Sequence, residues 1–182
     1  TNWSKMANQG ILSSMSDLRC ELAVSIFQTS LGWFGLLGTG QAVRRVQIGH
    51  PSAAAVRRAL QGKFVTETDW SPELRHRLED FTEGARDDFS DVPLLLPTLT
   101  PFQTRVLEHV RRIGYGLTES YGEVARRVGS PRAARAVGSV MAGNPVPLLV
   151  PCHRVVSSSG GLGGFSAPQG PRLKQRLLAL EA

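Results

Sequence analysis

The chain has 182 residues, 41% of them hydrophobic, which is enough for a buried core in one large or two small domains. No run of 18 or more apolar residues occurs, and no basic patch leads into an apolar stretch with a small-residue cleavage site; the sequence predicts a soluble intracellular protein with no membrane partner. The net charge of +6 is unevenly spread: residues 1–100 carry 10 basic against 11 acidic side chains, whereas residues 101–182 carry 11 against 4.

A second half so rich in arginine fits a phosphate-backbone partner as well as it fits a solvated basic face. Two cysteines, Cys20 and Cys152, are too few for a disulfide framework, and they predict a reducing compartment with at least one free thiol. Residues 1–19 lack a sustained period and read as a loose leader. From Cys20 onward, Leu22–Phe27, Trp33–Leu37 and Val43–Ile48 are short β-prone runs separated by Ser30-Leu31-Gly32 and Gly38-Thr39-Gly40, the pattern of an antiparallel three-stranded meander. Two helices are predicted next, over about Ser52–Leu60 and from Ser71-Pro72, where Leu74, Leu78, Phe81 and Ala85 recur at helical spacing. Asp91–Thr100, with Pro93 and Pro97, reads as an extended linker, so the expected units are residues 20–90, 91–100 and 101–182.

Three helix starts follow in quick succession. Thr100-Pro101-Phe102-Gln103 is a capping box with proline at the first helical position, and Phe102, Val106, Val110 and Ile113 make an apolar stripe. Ser120-Tyr121-Gly122-Glu123 is a second capping box. Ser130-Pro131 is expected to open a third helix through Ala133, Ala134, Val137 and Met141, stopped by Gly143-Asn144-Pro145. The last two helices, joined at Gly129 and bearing Arg132 and Arg135, have the proportions of a helix-turn-helix, although an ordinary helical hairpin has them too. The whole is predicted as an α+β chain, with a mainly helical C-terminal domain of winged-helix-like type.

Val146–Val150 resembles a buried strand interrupted by Pro147, and it ends in Pro151-Cys152-His153-Arg154-Val155-Val156. An isolated Cys-His pair is a buried structural thiol beside an imidazole, or a nucleophile beside its base. On an extended backbone the two side chains point to opposite faces, so a shared proton requires a bend or a bridging water.

Several ordered segments narrow the choice. Tyr121 after its capping serine, Ala133-Ala134-Arg135-Ala136-Val137-Gly138, Gly143-Asn144-Pro145-Val146-Pro147, Pro151-Cys152-His153-Arg154-Val155, Gly164-Phe165-Ser166 and Leu177-Leu178-Ala179-Leu180-Glu181 together resemble the O6-alkylguanine-DNA alkyltransferase family. Thr29-Ser30-Leu31-Gly32-Trp33 and Phe89-Ser90-Asp91-Val92-Pro93-Leu94 look like its N-terminal, ribonuclease-H-like domain. The resemblance implies a monomer that binds double-stranded DNA through the minor groove, without cofactor or metal. It would take the alkyl group from O6-alkylguanine, and from O4-alkylthymine, onto Cys152 once per molecule. A soft thiolate suits displacement at an sp³ carbon, and the thioether product has no hydrolysable bond.

By the same resemblance, His153 draws off the thiol proton and Glu181 holds the imidazole tautomer. Arg135 takes the place of a turned-out base, and Tyr121 crowds the phosphate and lends its hydroxyl to the guanine. Arg132, Ala133, Ala134 and Gly138 belong to the DNA-facing helix, where small residues permit close approach. Asn144 ties that helix to the active-site segment, and Val155, Phe165, Ser166 and Lys174 form or support the base pocket. Phe165 replaces a frequent tyrosine, and Ser166–Lys174 is about two residues longer than the family's pattern. Lys174 is otherwise a solvated helix lysine. Other classes weighed are a cysteine hydrolase, non-repairing relatives that flag alkylated DNA, and a helix-turn-helix regulator. Cys20, His50 and His76 are too few and too scattered for a four-ligand zinc site.

Overall fold

The three β-prone runs form β1 (Leu22–Thr29), β2 (Gly32–Thr39) and β3 (Ala42–His50), an antiparallel meander with turns at Ser30-Leu31 and Gly40-Gln41. The structure, a computed structural model, describes residues 22–60 and 65–182; the predicted leader and Cys20 lie outside them. A further strand, β4 (Val65–Glu67), pairs parallel with the free edge of β1, giving a mixed four-stranded sheet in the order β3-β2-β1-β4. Three residues are too few to show an alternation, so this strand exists because an edge was open to it.

Alternation along β2 splits the packing. Phe34 and Leu36 face one way, into a cluster with Leu74, Leu78 and Phe81 of α2 (Pro72–Thr82); Leu37 faces the other way, with Val24 and with Val56 of α1 (Ala53–Ala59). Phe34, Leu78 and Phe81 are essentially excluded from water, each contributing about 1.5–3 kcal/mol of burial. Residues 91–100 run extended beside the start of β3, where Val43 N–H donates to Pro93 O and Leu95 N–H to Val43 O. Pro93 and Pro97 cannot donate, which keeps the segment from becoming a full strand.

Both capping boxes form. Thr100 caps α3 (Pro101–Val110) and Ser120 caps α4 (Tyr121–Arg127), each with its reciprocal Gln103 or Glu123 bond to the cap N–H. The predicted third start shifts. Gly129, at φ +76°, donates to Arg126 O, and Ser130 N–H donates to Ala125 O. Ser130 therefore closes α4 in a Schellman arrangement. Pro131 and Arg132 form a turn, and α5 (Ala134–Ala142) begins after Ala133 without a side-chain cap.

Val146–Val150 is not a strand. Val150 N–H folds back to Val146 O, Leu148 sits at φ +73°, and only an isolated bridge joins Pro147 to Val150. An apolar run of this length cannot by itself distinguish a strand from a buried turn, and Pro147 removes a ladder donor. A 3-10 turn, Cys152–Arg154, then leads into β6 (Val155–Val156), which pairs parallel with β5 (Glu119–Ser120); α6 (Pro171–Leu180) ends the chain. One apolar cluster runs unbroken from Phe27 through α3, α4 and α5 to Leu177. Among the described residues, no helix is long and apolar enough to cross a membrane.

Candidate active site

Cys152 and His153 lie in the 3-10 turn rather than on extended backbone, and no direct hydrogen bond joins their side chains among the described residues. Cys152 N–H donates to Val150 O and Arg154 N–H to Pro151 O. All three side chains of the turn are buried, at 5%, 1% and 2% exposure. Three adjacent polar groups out of water demand partners.

Glu181, just past the end of α6, supplies them. Its carboxylate accepts from His153 Nε2 at 2.8 Å, from Arg154 Nε at 2.9 Å and Nη2 at 2.8 Å, and from Gly116 N–H at 3.2 Å. Arg154 also donates to Ile113 O at 2.6 Å and lies over the Tyr115 ring, whose hydroxyl donates to Leu180 O. Burial alone would raise the Glu181 carboxyl, but the hydrogen bonds and charges of His153 and Arg154 outweigh it and bring the group to about 2. It is therefore an anion, an acceptor only, and His153 Nε2 must carry the proton. The opposite ring nitrogen, Nδ1, is buried without a hydrogen-bond partner among the described residues. Burial pushes the His153 pKa down against the pull of Glu181, so the resting ring is neutral with a basic Nδ1.

The thiol is poised in the other direction. Burial raises Cys152, opposed by a hydrogen bond from the Asn144 side chain and by the charge of Lys174. Asn144 donates to Val150 O at 2.8 Å and accepts from Val146 N–H at 3.1 Å, which fixes the segment entering the turn. Lys174 is fully buried, donates to Val155 O at 2.6 Å, and lies 5.7 Å from the centre of the Tyr121 ring. The solvated reading of Lys174 is therefore wrong: its charge is lodged beside the thiol and depressed by burial.

Cys152 opens onto a cleft of about 610 Å³, a volume that suits a ring-sized ligand. Its walls bring together Tyr121, Ala134, Arg135, Gly138, Phe165 and Ser166 from the expected set, joined by Met141 and Ser157. A side chain at Gly163 would stand 2.7 Å from the Tyr121 hydroxyl, and one at Gly138 would touch its ring, so glycines on both sides hold that tyrosine in the wall. Arg135 and Arg132 are exposed, while Val155 is wholly buried beneath the site; Arg132 and Ala133 do not line the cleft. The role of Arg154 is not evident from the sequence motif, where the signal is a charged residue between the apolar runs Val146–Val150 and Val155-Val156. His50 hydrogen-bonds Gln47 and His76 lies against Arg75.

Fold and site together define a class: a helix-turn-helix unit whose second helix walls a cleft with a base-flanked cysteine at its floor. The model for the DNA-binding domain of 6-O-methylguanine DNA methyltransferase matches residues 101–182. A methylated-DNA–protein-cysteine methyltransferase of Methanosarcina acetivorans is 33% identical over 157 residues, covering 86% of this chain and 96% of that protein. The Metallosphaera sedula protein of the same name is 43% identical over 108 residues, which span 59% of this chain and 65% of that protein. The crystal structure of Mycobacterium tuberculosis OGT in complex with DNA superposes with a TM-score of 0.72 at 33% identity, covering 87% of this chain and 92% of that one. The chain belongs to the methylated-DNA–protein-cysteine methyltransferase family.

Proposed function

We propose that this chain repairs DNA by taking the alkyl group of O6-alkylguanine, and of O4-alkylthymine, onto Cys152 once per molecule. The observation that carries the reading is the buried line from the Cys152 cleft back through His153 to Glu181, set beside the exposed Arg135 of a helix-turn-helix. The Cys152 proton passes through a water to His153 Nδ1, and the imidazolium is stabilised by the Glu181 anion. Sulfur bonds the alkyl carbon as the carbon–O6 bond breaks, and its electron pair stays with the guanine. Tyr121, held protonated because burial and the nearby thiol raise its pKa, lends a proton to the leaving base and regains one from the imidazolium, so that the Cys152 proton ends on the guanine.

The reacting carbon lies inside a duplex, so the base is turned out into the cleft. On this reading α5 enters the minor groove of double-stranded DNA, Arg135 fills the gap in the stack, and Ala133, Ala134 and Gly138 permit close approach while Arg132 meets phosphate. Val155, Phe165, Ser166 and Asn144 shape and brace the pocket, Lys174 supports it, and the protein acts as a monomer. Intact-mass measurement after incubation with O6-methylguanine duplex tests the reading. One methyl should appear per chain, on the peptide containing Cys152, and Cys152→Ala should abolish it while DNA binding persists. Repeated turnover, or methyl uptake by the alanine variant, would sink the assignment.

A further inference from the structure

Phe165 and Ser166 line both the main cleft and a smaller one of about 220 Å³ that also reaches Cys152, along the edge of β3. The stretch after them is fastened to the N-terminal sheet through the side chain of Gln169. Gln169 Nε2 donates to Leu31 O in the β1–β2 turn at 2.9 Å and to Gly49 O near the end of β3 at 3.0 Å. Both amide hydrogens are thereby used. At Gly49 the sheet leaves room for the amide and its neighbour: a side chain there would stand 3.1 Å from Nε2 and 2.5 Å from Leu173. Gly170 N–H donates to Ala167 O at 2.7 Å, closing a turn, so the pinned residue and the cleft rim are joined by a short, folded strap.

We infer that Gln169 is a positioning residue that pins the Phe165–Gln169 strap to the N-terminal sheet and so sets which alkyl groups reach Cys152. The inference rests on the alkyl-transfer reading above. With the amide in place the rim is held at one width, which admits small groups; without it the strap can move outward and admit larger ones. The acceptors are two backbone carbonyls, so charge and donor count decide the matter. Gln169→Glu keeps the size, loses both donors and turns an oxygen toward each carbonyl.

The test uses the full chain and duplexes carrying O6-methylguanine or O6-benzylguanine, with second-order rates read by mass spectrometry. Gln169→Glu and Gln169→Ala should raise the benzyl-to-methyl rate ratio by about fivefold, the scale of one net hydrogen bond. Arg176→Ala, which breaks the separate 2.9 Å bond to Ser30 O, should leave the ratio at the native value. An unchanged ratio in both Gln169 variants overturns the inference, and so does an equal shift in Arg176→Ala, since general loosening would then explain it. If the native chain transfers neither group to Cys152, the alkyl-transfer reading itself falls; if it transfers both and only the ratio fails to move, the role of Gln169 alone falls.

Discussion

Glu181→Gln keeps the shape of the side chain and removes its charge. The carboxylate accepts from four N–H groups, of His153, Arg154 twice, and Gly116. A glutamine amide offers one oxygen and turns an NH2 group toward either His153 or Arg154, donor against donor. Arg154 then remains a buried cation with its carboxylate partner lost, holding Ile113 O, the Tyr115 ring and at most one amide oxygen. Breaking a buried pair by removing one partner costs about 3–5 kcal/mol. A second route gives a similar figure: a carboxyl held at about 2 instead of its ordinary 4.5 contributes about 3 kcal/mol at neutral pH. Because the folded-state pKa is lowered, that contribution is complete above about pH 4.5 and fades as pH falls toward 2. Thermal unfolding should therefore show a melting temperature lower by about 6–12 °C at pH 7 in the variant. The gap should close as the native protein is acidified. Transfer to Cys152 should also slow, by about 10²–10⁴-fold, since an amide no longer dictates which imidazole nitrogen carries the proton. A variant as stable as the native chain at pH 7, or one reacting at the native rate, would refute the buried-anion argument.

Lys174→Met removes the cation that opposes the raised thiol, so transfer should slow at pH 7 and recover part of its rate at pH 9; an equal slowing at both values would show that the charge is not what matters. The His153 pKa is lowered from its ordinary 6.5 by burial, and only the free base can take the thiol proton. The acid-side loss of rate should therefore fall below pH 6.5, and a midpoint at or above 6.5 in single-turnover measurements would contradict it. Arg135→Ala should slow repair of duplex DNA by about 10-fold or more while leaving reaction with the free base unchanged, since extruding a stacked base costs a few kcal/mol; equal losses on both substrates would remove its role in extrusion.

What the sequence showed and what it hid divide along the range of the interactions. The capping boxes at Thr100 and Ser120 are four-residue devices, and they formed where they were read. Ser130-Pro131 is also a valid local start signal, yet the backbone of Ser130 was already engaged with Ala125 O, and α5 begins later. Val146–Val150 is apolar because everything around it is core, which says nothing about its backbone. Only family resemblance joins Cys152, His153 and Glu181 in the sequence, since the histidine and the carboxylate are 28 residues apart. The part played by Arg154 depends on a partner 27 residues away, and that of Lys174 on which side of α6 meets the turn. No periodicity encodes either distance.

The surroundings of Cys152 and His153 hold the pair neutral at rest and carry polar groups that match the charges proton transfer would create. At rest the thiol is raised and the imidazole lowered, both by burial, so the pair is neutral and the sulfur is protected in its less oxidisable form. Glu181 and Arg154 already compensate one another as a fixed ion pair. Moving the Cys152 proton to His153 creates a thiolate and an imidazolium. The thiolate then has the Lys174 charge and the Asn144 amide to favour it, and the imidazolium has the Glu181 anion. Preorganised charge of this kind offsets part of the burial penalty on the ionised pair, while burial still keeps the neutral pair as the resting state. On the proposed reading the free protein keeps an unreactive thiol, and reactivity would arise when a bound base excludes water from the cleft and an alkyl carbon stands against the sulfur.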